Sequence, residues 1–168
     1  MPTSTVIPLI VRNYGVFWER NRVDFGTKGP GNRGQLLGFK RGTPTPADLR
    51  GQRGIYVLYE GTDINLQRVV YVGQTGAGHQ RLLKRLRDHT NDHLWNRWQR
   101  FSWAGFLDIG PDFKVLNVSD ESVGNILFET ALDQLEATLI QLLEPLLNKQ
   151  GPKWHGAKQY FQLQVDDD

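Results

Sequence analysis

Two short apolar runs, Gly54-Ile-Tyr-Val-Leu-Tyr-Glu60 and Gln67-Arg-Val-Val-Tyr-Val-Gly73, flank Gly61-Thr-Asp-Ile-Asn65. β-Branched and aromatic side chains suit a pleated, half-buried surface, and the residues between them are turn formers, so this stretch is restricted to an antiparallel hairpin. Strand alternation sends Tyr56 to the side of Leu58 and Tyr71 to the side of Val69. A register centred on the turn then sets the two phenols nearly opposite one another on one face. Gly54 and Gly73 lie two residues from Tyr56 and Tyr71, and on this alternation they leave bare backbone beside the phenols, where a ligand can approach.

Two helices follow from spacing. Over Arg81 to Thr90, Leu82, Leu83 and Leu86 share one side, while Arg81, Arg85 and His89 recur at i, i+4, i+8 and edge that face, looking back at the hairpin. From Gly124 to Leu143, Phe128, Leu132, Leu135, Leu139 and Leu142 form one stripe, and Glu136 sits at its margin. A half-buried carboxylate is costly unless it is paired or holds a metal. Glu129, Asp133 and Glu144 read as ordinary solvated charges. Pro145 ends the helix and turns the chain toward Asn148.

The remaining elements are short. Thr5 to Val11 reads as an edge strand or arm, Thr27 to Thr45 as loop, and Ala47 to Arg50 as one helical turn after Pro46. Asn91 to Arg100 reads as a second helix or a continuation of the first, with Trp95 and Trp98 turned inward. Phe101 to Ile109 is the third strand and Phe113 to Val118 a further short one. Gly151 to Gly156, with Trp154 and His155, is loop, and Asp166 to Asp168 is a solvated tail.

A length of 168 residues suits one domain with a core of its own. Zero cysteines exclude disulfides, thiolate zinc sites and a cysteine nucleophile, leaving oxygen, imidazole and guanidinium groups to carry any chemistry. No apolar run is long enough for a membrane span and no leader pattern opens the chain, so the expectation is a cytoplasmic protein without membrane association. The net charge of +2 conceals an asymmetry: residues 1–53 hold nine Lys/Arg against three Asp/Glu, and residues 111–168 hold four against ten. A polyanionic partner is favoured on the first half. Between Tyr14 and Phe25, aromatics alternate with Arg20 and Arg22, which suits bases and phosphates, or else a core with solvated arginines around it.

Two rival constellations fail on their own terms. His89 and His93 have zinc-like i, i+4 spacing but lack the adjacent Glu and a third ligand. Gly73-Gln-Thr-Gly76-Ala-Gly78 lacks the Lys and Ser/Thr of a nucleotide-binding loop.

Taken together, G-I-Y at Gly54 to Tyr56, Y-V-G at Tyr71 to Gly73, R-L-R-D-H at Arg85 to His89, and Leu135-Glu136-x-x-Leu139-Ile140 followed by Pro145-x-x-Asn148 resemble the GIY-YIG nuclease superfamily. Excision-repair incision nucleases and some restriction enzymes of the superfamily carry the same order of motifs. The resemblance implies an α/β fold with a small, mostly antiparallel three-stranded sheet flanked by helices. Residues 1–53 become a basic extension, 54–150 the nuclease domain, and 151–168 a C-terminal segment with an acidic tail.

The resemblance also implies a metal-dependent endonuclease acting on nucleic acid, double-stranded DNA foremost. Glu136 becomes the ligand of one Mg²⁺ or Mn²⁺, Arg85 the brace of the scissile phosphate, and Tyr56 the general base helped by His89. Tyr71 orients water or phosphate, and Asn148 holds a tyrosine or the glutamate. Many members place the arginine where this chain has Arg81, whereas the R-x-x-x-H spacing selects Arg85. Arg81, Lys84, Arg87, Lys40 and Arg41 are the expected substrate contacts. The alternative is a nucleic-acid-binding module of the same fold without turnover.

Overall fold

The computed structural model describes residues 10–27, 30–63, 65–76, 80–116, 122–123 and 126–148. In chain order these form β1 (Asn13–Glu19), a 3-10 turn (Arg20–Arg22), β2 (Leu37–Gly38), β3 (Ala47–Asp48), β4 (Gly54–Glu60) and β5 (Arg68–Gln74). Then come α1 (Leu82–Asp88), β6 (Arg100–Gly105), β7 (Ser122–Val123), β8 (Ile126–Leu127) and α2 (Phe128–Leu143). The architecture is mixed α/β. A four-stranded antiparallel sheet runs in the order β1-β6-β4-β5, and β2-β3 and β7-β8 are separate short pairs.

The sheet has one strand more than expected, and the extra strand comes from residues 1–53. β1 pairs with β6 from Asn13↔Gly105 to Glu19↔Arg100. Gly15 makes this possible, because a Cβ there would stand 2.4 Å from the Trp103 indole nitrogen and 2.6 Å from Trp18. A register shift between Gly15 and Trp18, with Phe17 at φ 56°, accompanies the packing of Trp18 edge-on to Trp103, with ring centroids 5.5 Å apart.

The β4/β5 hairpin forms, with a different register. A shift at Leu58/Tyr59 pairs Tyr56 with Gly73 and Leu58 with Tyr71, so the phenols are diagonal neighbours on one face rather than opposite partners. On that face α1 buries Leu82, Leu83 and Leu86 against Tyr56, Leu58, Phe101, Trp103 and Trp98. Each buried leucine contributes about 1.5–3 kcal/mol. The other face carries Ile55, Phe106 and Leu107, covered by Ala131 and Leu132 of α2 with Leu135 and Leu139 beside them. The two helices therefore sandwich the sheet.

Local expectations fail where loop chemistry overrides periodicity. Asn91 to Gln99 is a run of turns rather than a helix, because the Asp92 side chain accepts the Leu94 N–H at 2.8 Å. Trp98 is fully buried, but Trp95 is exposed. Ala47 and Asp48 form β3 instead of a helical turn, paired with β2. The third predicted strand stops at Gly105, and of Phe113 to Val118 only Lys114 and Val115 make bridges among the described residues. Most of Thr5 to Val11, and all of 151–168, lie outside the described residues. Among the described residues no helix is long and apolar enough to cross a membrane.

Candidate active site

Tyr56 of β4, Tyr71 of β5, and Arg85 and His89 of and after α1 converge on the face covered by α1. Their rings form a triangle, with centroids 6.3 Å apart for Tyr56–Tyr71, 5.6 Å for Tyr56–His89 and 5.0 Å for Tyr71–His89. Gly73 lies under the phenols: a Cβ on it would meet the Tyr56 hydroxyl at 2.5 Å and the Tyr71 ring at 2.7 Å. The expectation that Gly73 leaves backbone open to a ligand is thus corrected, since the tyrosines fill that space. Gly54 is likewise filled, because a Cβ there would sit 1.9 Å from the Ala104 carbonyl oxygen of β6.

Tyr56 is wholly enclosed, and its hydroxyl lies within hydrogen-bond distance of His89 Nε2, at 2.7 Å. Burial pushes its phenol well above the ordinary value, the nearby Arg85 guanidinium pulls it back in part, and Tyr71 and Glu136 push it up again. Tyr71 is half-buried and also raised, by burial first and against the pull of Arg85. Arg85 is half-buried, and its positive charge acts on both phenols. Burial lowers the His89 imidazole, and a 2.7 Å bond from Nδ1 to Asp92 Oδ2 opposes that shift. Asp92 was not singled out from the sequence. A carboxylate three residues after a histidine was the available signal.

Glu136 approaches from α2, which packs on the other face of the sheet. Its charge nevertheless adds to the rise of the Tyr56 and Tyr71 phenols, behind the effect of burial. It is 8% exposed, and burial raises its pKa. Gln74, next in sequence to Gly73, donates from Nε2 to Glu136 Oε2 at 2.8 Å and to Asp133 Oδ1 at 2.7 Å. One amide nitrogen thereby uses both its hydrogens on two carboxylates of one helical turn. Asp133, read from sequence as plain solvated charge, belongs to this cluster and raises Glu136 further. Among the described residues no group of three or more His, Cys, Asp or Glu is arranged around a metal position.

Asn148 holds neither a tyrosine nor the glutamate. It behaves as a surrogate peptide for the outer edge of β5, accepting the Val72 N–H and donating to the Val72 carbonyl, each at 2.8 Å. This pins the backbone between Tyr71 and Gly73, so Asn148 positions the site through the strand. Gln52 does the same for the segment after β6, bonding the carbonyl of Leu107 at 2.9 Å and its N–H at 2.8 Å.

The expected substrate contacts divide. Lys84 is exposed and 3.3 Å from Asp88, and Lys40 and Arg41 are exposed on a turn after β2. Arg81 is the half-buried N-cap of α1. Arg87 donates to the Arg33 carbonyl, which ties the glycine-rich loop to α1 and gives this arginine a structural task. In the extension, Arg20 stacks 4.7 Å from the Trp98 ring, Arg22 pairs with Glu19 at 2.9 Å, and Arg50 pairs with Asp48 at 2.9 Å. Trp18 and Phe25 pack on the core, while Tyr14 is 73% exposed. A cleft of about 560 Å³ between Arg20, Phe25, Thr90 and Arg100 contains none of the six expected site residues.

No family model, no curated protein and no solved structure matches the chain.

Proposed function

We propose that the protein is a GIY-YIG-type endonuclease that hydrolyses phosphodiester bonds in nucleic acid, DNA foremost, with one divalent cation. The observation that carries this reading is the convergence of Tyr56, Tyr71, Arg85 and His89, within electrostatic reach of Glu136. Phosphodiester hydrolysis requires positive charge at the phosphate and a route for the proton of the attacking water. This cluster offers both.

Arg85 is the cation whose charge acts on both phenols. On substrate binding its guanidinium turns from them onto the scissile phosphate, where bidentate N–H donors fit the equatorial oxygens. The water gives a proton to Tyr56 as Tyr56 passes its own to His89 Nε2, the water oxygen bonds to phosphorus while the bond from phosphorus to the leaving sugar oxygen breaks, and that oxygen takes a proton from solvent. With a phenol raised by burial, a free phenolate is too costly at neutral pH, so the two transfers are coupled. Tyr71 orients the water or the phosphate.

The fit of a cation rests on Glu136 and Asp133. A buried carboxylate with a raised pKa, oriented by Gln74 and one turn from a second carboxylate, suits Mg²⁺ or Mn²⁺, which keep several waters and take one or two carboxylates. When bound, the ion would add positive charge at the phosphate.

One observation favours a second reading, a nucleic-acid-binding module of this fold without turnover: Tyr56 presents no surface to solvent. Nicking of supercoiled plasmid separates the two. The nuclease reading expects Mg²⁺-dependent conversion to open circles, stopped by chelator. Tight plasmid binding with no nicking in Mg²⁺ or Mn²⁺ would establish the binding module instead.

A further inference from the structure

His89 is held at both ring nitrogens, by the Tyr56 hydroxyl at Nε2 and by Asp92 Oδ2 at Nδ1, each at 2.7 Å. An ionised carboxylate only accepts hydrogen bonds, so in the neutral ring Nδ1 carries the hydrogen and Nε2 is left as the acceptor of the Tyr56 O–H. We propose that Asp92 is a positioning residue that locks His89 in the Nδ1–H tautomer, so that the Tyr56 proton has one destination, Nε2. The inference rests on the proton route given under Proposed function, and adds the residue that sets its direction.

The surroundings keep the carboxylate from swinging away. Its other oxygen accepts the Leu94 N–H at 2.8 Å, and the Asp92 N–H donates to the Asp88 carbonyl at 3.1 Å. Trp98 donates its indole N–H to the His89 carbonyl at 3.2 Å, so the backbone under the ring is fixed too. Among the described residues, the charged and titratable groups that act on His89 are Tyr56 from β4, Tyr71 from β5, Arg85 and Asp88 from α1, and Asp92 from the turn. Of these, Asp92 and Asp88 favour the imidazolium, whereas burial and Arg85 oppose it. In the transfer the Tyr56 O–H bond breaks, an Nε2–H bond forms, and the positive charge on the ring lies against the Asp92 carboxylate. The Tyr56 oxygen regains a proton from the attacking water.

Asp92→Asn is the discriminating variant. Its side-chain oxygen still accepts the Leu94 N–H, so the turn is retained, while the amide NH₂ takes the place of Oδ2. An NH₂ donates to Nδ1 and drives the ring hydrogen to Nε2, which then points a donor at Tyr56. The test is the imidazole ¹⁵N spectrum of the full chain labelled in histidine, at pH 7.5 without substrate. The expected result is the Nδ1–H tautomer for His89 in the wild type and Nε2–H in Asp92→Asn. Single-turnover plasmid nicking should fall on the order of 10²–10⁴-fold, as loss of the correct tautomer does in other hydrogen-bonded relays.

A wild-type His89 in the Nε2–H form overturns the proposal, and this reading needs no variant to fold. Retention of Nδ1–H in a folded Asp92→Asn protein also overturns it, as does a flipped tautomer with an unchanged cleavage rate. If the wild type nicks nothing, the nuclease reading fails while the ¹⁵N spectra still decide the tautomer lock.

Discussion

Gly73→Ala tests the packing on which the site depends. The added methyl carbon would lie 2.5 Å from the Tyr56 hydroxyl, 2.6 Å from its Cζ and 2.7 Å from Tyr71 Cε1, where ordinary contact begins at 3.4 Å. The rings must therefore retreat by about 1 Å. Tyr56 has no empty space to move into, because it is fully buried and its hydroxyl is bonded to His89. Overpacking of this kind costs about 1–3 kcal/mol. Separating the hydroxyl from the imidazole leaves a buried polar group unpaired, at a further cost of about 1–3 kcal/mol.

Urea unfolding should show a lower midpoint with an unchanged slope. Single-turnover nicking should drop on the order of 10²-fold, the usual consequence of a 1 Å misplacement of a reacting group. Gly51→Ala is the control, since its new methyl would meet only Val115 Cβ, at 3.5 Å. It should stay within about 0.5 kcal/mol of wild type. A Gly73→Ala protein as stable and active as the control would refute the stacking of both phenols over this glycine.

Glu136→Gln should stabilise the metal-free protein at pH 8 and make no difference at pH 4. A carboxyl raised by burial stabilises the fold below its unfolded pKa and loses that contribution as pH rises through its folded pKa, so the ionised form carries the penalty at high pH. Urea midpoints across this range would check it, and a pH-independent difference would count against the burial argument. Arg85→Ala should lower cleavage on the order of 10²–10³-fold, whereas Arg81→Ala weakens binding with a near-normal rate at saturating enzyme. The opposite ranking moves the phosphate brace to Arg81. Replacing Lys40 and Arg41 together by Ala should flatten the slope of log K against log salt by about 0.9 for each phosphate no longer neutralised. An unchanged slope in fluorescence-anisotropy titrations would show that this turn points away from the duplex.

The hairpin and both helices were legible because their side chains obey simple periods: β-branched pairs for β4 and β5, leucines at three and four for α1 and α2. Glu136 was legible too, as the one carboxylate at the margin of an apolar stripe. The register was not, since the bulge at Leu58/Tyr59 leaves no mark in the alternation of residue types. β1 was missed as a sheet member because Gly15 and Phe17 interrupt its alternation, and only the packed indoles of Trp18 and Trp103 reveal why. Asp92, Gln74 and Asp133 act through contacts between segments read as separate or solvated, and hydrophobic patterning carries no signal for such polar pairings. The basic excess of residues 1–53 was visible as charge, but Arg20, Arg22 and Arg50 are engaged within the protein. Lys40 and Arg41 are exposed.

Tyr56 is the centre of the proposed chemistry, with its ring filling the core while its hydroxyl faces His89. Tyr56→Phe keeps the packing of the ring and cuts the proton route, at a cost of about 1–3 kcal/mol for leaving His89 Nε2 unpaired. Single-turnover nicking of supercoiled plasmid in Mg²⁺, at saturating enzyme, should fall on the order of 10²–10⁴-fold, with plasmid affinity unchanged. A Tyr56→Phe protein that nicks at the wild-type rate would contradict the claim that Tyr56 and His89 carry the proton of the attacking water.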